Sequence, residues 1–204
     1  MNDISKLTLS DEEQQLVNNS DWILTKHLII GKVYLLFGNL AAVMKKAVED
    51  GNHQLPAEVI QSTAKISKGE NYLKLPYVML DYPRCFDGEN IFAVRTMFWW
   101  GNFFSMTLQL SGGYKKMFAE HIYNNQTRLI QNNFFLCINE DEWQHHFEEN
   151  NYRAVKQFDA KEFNRVIKEK NFIKLSVKFA LDEWKNVPRL LEQSFTGMME
   201  LIKT

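Results

Sequence analysis

The sequence predicts an α+β fold, a single domain over 1–204 in which a predominantly antiparallel sheet packs against N-terminal and C-terminal helices. Three observations carry this expectation. Residues 72–111 hold the densest aromatic and β-branched content and the clearest turn signals of the chain. Residues 172–181 alternate strictly, with Ile173, Leu175, Val177, Phe179 and Leu181 on one side and Lys174, Ser176 and Lys178 on the other. Apolar residues recur at intervals of three and four near both ends, through Ile29, Val33, Leu36, Leu40, Met44 and Ala47, and again through Trp184, Val187, Leu191, Phe195, Met198 and Ile202. The organisation that follows is N-terminal helices over 10–50, a central sheet over 72–111 and an α/β portion over 114–204.

In chain order, Ser10-Asp11-Glu12-Glu13 is a capping box that opens a short helix to about Asn18, and Ser20 caps a longer one that runs to Gly51. Gly31 and Gly38 lie seven residues apart on that helix, on nearly one face, and are expected to admit close packing against the sheet. Residues 52–56 form a loop, Pro56 starts a brief helical turn through Ile60, and 62–71 reads as an irregular polar link. The first strand runs over 72–82, and Pro76 inside it demands an edge position or a bulge. Residues 83–90 connect it to the next strand, with Asp87-Gly88 as the turn.

Gly101-Asn102 reads as a two-residue hairpin turn, so Trp100 pairs with Phe103, Trp99 with Phe104 and Arg95 with Leu108. On this register Ala93, Arg95, Met97 and Trp99 share a core face with Phe104, Met106, Leu108 and Leu110. Arg95 then sits in an apolar row and requires a carboxylate, for which Asp81 and Glu70 are the candidates. After Gly112-Gly113, 114–133 carries a weaker helical pattern and 134–138 a short strand. Asn139 is placed to cap a helix bearing Trp143 and Phe147, and 152–158 reads as a further strand. Asp159 caps a helix to about Asn171, followed by the half-buried strand 172–181 and an amphipathic closing helix with Pro188 near its start.

Composition narrows the function classes. A chain of 204 residues with 45% apolar and 24% charged residues is long enough for one well-formed core. The formal net charge of -1 speaks against a nucleic-acid binder that relies on backbone contacts. Two cysteines, Cys85 and Cys137, make no disulfide framework, and the N-terminus lacks the basic start and apolar run of a signal peptide, so a cytoplasmic location is expected. Lys26, His27 and Lys32 interrupt the most apolar stretch, 22–44, and no membrane span is expected there.

No phosphate-binding glycine loop, dinucleotide fingerprint, zinc-protease helix or nucleophile elbow is present, so whether the chain is an enzyme is left open. Adjacent His145 and His146 cannot clamp one metal from a helix, no metal is assigned, and no cofactor is implied. Cys85 stands beside Arg84 without a histidine near it in sequence, which favours a structural thiol.

Two readings remain. The first is a binding or interaction domain that self-associates, or meets a protein partner, through an aromatic hairpin made of Trp99, Trp100, Phe103 and Phe104. The second is an enzyme or small-anion-binding protein built on Arg95, Arg84, Asp81, Tyr77, Tyr82 and Glu70, in which an arginine clamps an acid that tyrosine hydroxyls orient.

Overall fold

The structure is a computed structural model and describes residues 7–51 and 55–203. Residues 52–54 of the expected loop, His53 among them, lie outside the described residues. The N-terminal capping signal forms as read: Ser10 Oγ accepts from the Glu13 amide at 3.2 Å and Glu13 Oε2 accepts from the Ser10 amide at 2.7 Å, opening α1 (Asp11–Asn18). Helix α2 (Ser20–Asp50) is unbroken, and its capping side chain is Asn19 rather than Ser20. It buries Val33, Phe37, Leu40, Met44 and Val48. Gly31 and Gly38 fall on the opposite, exposed face, where an added Cβ would meet nothing, so the expected packing of these glycines against the sheet does not occur. A short helix, α3 (Ala57–Ile60), follows.

The sheet has seven strands, all antiparallel: β1 (Lys65–Tyr72), β2 (Leu75–Asp87), β3 (Asn90–Trp99), β4 (Phe103–Ser111), β5 (Phe135–Cys137), β6 (Tyr152–Ala154) and β7 (Phe172–Ala180), in the order β1-β2-β3-β4-β7-β5-β6. The first four strands form a meander, one strand more than the three expected over 72–111, because the polar link before Tyr72 is itself a strand. A two-residue turn, Leu73-Lys74, joins it to β2, with φ of 46° and 67°. Such turns signal themselves by Asn-Gly, and this one carries neither. Pro76 is tolerated where the β1–β2 ladder shifts register between Gly69 and Tyr72, and Pro83 where the β2–β3 ladder shifts between Asp81 and Arg84. Strand β2 extends to Asp87, so the next connection is only Gly88-Glu89.

The hairpin β3–β4 turns through three residues, not two. Trp99 pairs with Phe103, Phe98 with Phe104 and Arg95 with Thr107. Gly101, at φ 70°, is second of the two central residues of a turn closed by the Asn102 amide on the Trp99 carbonyl at 3.1 Å, the position a type II turn reserves for glycine. A slip of one residue changes every partner across the pair. The face expected as core is thereby redistributed: Phe92, Val94 and Phe98 join Phe104, Met106, Leu108 and Leu110 in the main core, whereas Met97 and Trp99 join Phe103 on the other face.

Helices α2, α4 (Gly112–Asn124) and α7 (Val187–Leu201) cover the first face, with α5 (Gln126–Gln131) and α6 (Ala160–Glu169) alongside. Asp159 caps α6 through the Glu162 amide at 2.7 Å. The second face is covered by the segment 138–151, which forms no helix. Asn139 and Asp141 spend their side chains on the amides of Asp141 and Trp143, at 2.8 and 2.9 Å, and make local turns in place of a cap. Residues 155–157 form a helical turn, so the strand expected over 152–158 stops at Ala154. Because both faces are covered, β7 is buried on its polar side too, with Lys174 and Ser176 fully enclosed. It is a central strand rather than a half-solvated one.

Candidate functional site

The sequence clusters polar candidates on the first strands, and the sheet separates them by parity. On β2, Tyr77, Met79 and Asp81 face the 138–151 segment, while Val78, Leu80 and Tyr82 enter the helix-side core. Tyr82 is buried there and does not join a site. Glu70 holds Lys26 of α2 at 2.5 Å and is exposed. Arg84 donates Nε to the Thr63 carbonyl at 3.0 Å, away from Arg95. Of the six expected ligand residues, Asp81, Arg95 and Tyr77 come together.

Arg95 Nε donates to Asp81 Oδ1 at 2.7 Å. Its Nη2 lies 3.5 Å from Oδ2, and Nη1 is buried with no partner among the described residues. The guanidinium lies beside two neighbouring rings, 5.8 Å from the centroid of Phe86 and 5.5 Å from that of Trp143, which are 6.4 Å from each other, a spacing at which the rings attract it.

Beside this pair lies a partly open cavity of about 260 Å³, bounded by Ser67, Tyr72, Tyr77, Met79, Arg95, Met97, Trp143 and His145. Its base is the two methionines, and Trp143 is its half-exposed roof. Gly69 makes room for one wall: a Cβ there would stand 2.5 Å from the Tyr77 ring, its cross-strand partner.

The wall opposite comes from the 138–151 segment, held down at several points. Tyr72 Oη accepts the amides of His145 and His146 at 2.7 and 3.0 Å, so its own proton is left for another acceptor. Lys174 donates Nζ to the carbonyls of Glu142, at 2.9 Å, and Gln144. Gln109 Nε2 reaches Glu142 Oε2 at 2.8 Å, and Lys170 reaches the Ile138 carbonyl at 3.2 Å. Phe147 packs edge-on against Phe103 and Phe135 and stacks on Tyr152 at 4.5 Å.

Burial, with the positive charges of Lys174 and Arg95, pushes the His145 imidazole well below its ordinary pKa, so it is neutral at pH 7. Burial likewise raises the Tyr72 phenol. With Asp81 and Arg95 paired, these wall groups present hydrogen-bonding atoms and aromatic surface to the cavity. Among the described residues no three His, Cys, Asp or Glu side chains gather as a metal-ligand set.

The aromatic hairpin does not project. Phe98 and Phe104 meet Trp184 at 5.9 and 5.2 Å, Phe104 also meets Phe37, and Trp99 donates Nε1 to the Tyr72 carbonyl at 3.2 Å. Trp99, Phe103 and Phe104 are buried within the chain, and Trp100 is partly covered, its amide on the Pro76 carbonyl at 3.0 Å. Three of the four residues expected as an interface patch are therefore internal packing, and Trp100 alone keeps some exposure.

Trp143, His145 and Ser67 were not among the expected site residues. Trp143 and His145 come from a stretch read as helical and reach β2 and β3 only through tertiary contacts from about fifty residues away in the sequence. Compared with known proteins, the chain matches no family model and no curated protein.

Proposed function

We propose that this chain is a binding protein for a small flat organic molecule carrying one acceptor group, a carboxylate by preference, and that the cavity under Trp143 is its receptor site. The observation that carries the reading is the Arg95 residue on the wall of the cavity, its guanidinium beside the Phe86 and Trp143 rings. A guanidinium on a cavity wall takes an acid or carbonyl oxygen as its partner. Flanking aromatic rings and the Met79–Met97 base favour a flat, polarisable body. The paired Asp81 removes most of the local positive charge, which favours a monoanion or a neutral carbonyl over a phosphate dianion. At about 30 Å³ of liquid per water-sized group, the 260 Å³ cavity takes a molecule of roughly nine non-hydrogen atoms.

The test uses the full chain with benzoate and benzyl alcohol as probes, followed by thermal shift and by the fluorescence of Trp143. Benzoate raises the melting temperature and quenches the tryptophan signal more than the alcohol does. Trp143→Ala, at a half-exposed position, leaves the fold intact and weakens benzoate binding by about tenfold or more, the ~1.4 kcal/mol of one ring contact. Equal, negligible shifts with both probes, together with a native mass spectrum of the purified chain that shows no retained compound, refute the reading.

A further inference from the structure

Helix α2 is apolar on two opposite faces. The face bearing Val33, Phe37, Leu40, Met44 and Val48 seats on the sheet. The other presents Leu24, Leu28, Gly31, Leu35, Gly38 and Ala42 at alternating steps of four and three, the seam spacing of paired helices. All six are exposed, Leu28 by 68% and Leu35 by 71%. Residues 11–25 are exposed throughout, so α1 and the first turns of α2 project from the core, which α2 first meets at Lys26, Ile29 and Ile30.

The seam is complementary to itself. In an antiparallel copy related by a two-fold axis beside Val33, Leu24 faces Ala42, Leu28 faces Gly38 and Leu35 faces Gly31, so each large side chain meets a small one. The next seam positions outward are Asp21 and Lys45, and the same axis brings them together at both ends. The N-terminal turns of each helix would lie across the partner's sheet-anchored C-terminal half. A parallel pair instead sets Leu against Leu, Asp21 against Asp21 and Lys45 against Lys45.

We infer that α2 is the interface of an isologous homodimer, packing antiparallel on α2 of a second copy through the Leu24–Ala42 seam. A lipid surface is the competing occupant, because α2 is long and apolar enough by composition to enter a membrane. Two glycines in the middle of the exposed seam and the matched end charges favour the second copy.

Sedimentation velocity on the full chain, at micromolar concentration, tests this directly. The expected species has twice the chain mass. Gly38→Leu collides with Leu28 of the second copy and yields a monomer, while its far-UV circular dichroism stays that of the wild type because its own surroundings are empty. Asp21→Lys alone weakens the dimer by about tenfold or more, and Asp21→Lys combined with Lys45→Asp restores it. A monomeric wild type, a dimeric Gly38→Leu variant, or single and double charge variants of equal affinity overturn the inference. So does a monomer that co-sediments with phosphatidylcholine/phosphatidylglycerol vesicles, which would assign the face to lipid.

Discussion

Arg95 and Asp81 are held by each other at 14% and 9% side-chain exposure, and neither has a second charged partner among the described residues. A buried pair of this kind contributes little net stability against an apolar replacement, yet removing one member strands the other. Arg95→Leu is therefore expected to cost about 3–5 kcal/mol in urea unfolding. Asp81→Leu combined with Arg95→Met is expected to recover most of that loss while abolishing benzoate binding. A double variant as unstable as the single one would mean that the pair itself holds β2 to β3. The pairing was legible in the sequence, because an arginine in an apolar strand row has few ways to be satisfied and Asp81 lies one hairpin away. The orphaned Nη1 was not, since it depends on where Trp143 and Phe86 come to rest.

At the scale of elements, turn chemistry decided most of what differed from expectation. Leu73 and Lys74 both adopt the left-handed region, which costs an L-residue roughly 1–2 kcal/mol each. Leu73→Asn with Lys74→Gly is expected to raise stability by about 1–2 kcal/mol, read from the urea midpoint at constant slope, because Asn-Gly suits this turn. Leu73 is half exposed, so little burial is lost. A destabilised variant would show that these two residues hold the hairpin by contacts rather than despite their backbone. The same strain hid β1 from the sequence: without a turn signal at Leu73-Lys74, the polar run before it looks like a link. At Gly101 the turn signal is plain, but a type II turn with one further residue and a two-residue turn share the dipeptide Gly-Asn. Only the burial of Phe98 with Phe104 decides between them, and that belongs to the packed sheet.

For the whole molecule, the segment 138–151 turns a two-layer fold into one covered on both faces, and Lys174 is the clasp. Burial lowers its pKa from 10.5 to about 8. Between those values the unfolded chain keeps a proton that the folded chain has released, so this residue makes stability rise with pH from about 8 toward 10.5 and contributes a constant penalty below. The rise amounts to about 3 kcal/mol at most. Compared at about pH 8 and pH 10, Lys174→Met is expected to lack that gain relative to the wild type. Parallel pH profiles for the two would show that Lys174 titrates as though exposed.

The sequence alone determined the class, the capping box at Ser10, the amphipathic helices near both ends and three of the first four antiparallel strands, since capping boxes, periodicity and alternation are local and each is written within a few turns of chain. Tertiary structure decided strand register, the central place of β7 and the identity of the site. Those depend on contacts between residues such as Tyr72 and His145 or Gln109 and Glu142, far apart in the chain, whose meeting lowers the free energy only once both layers are packed.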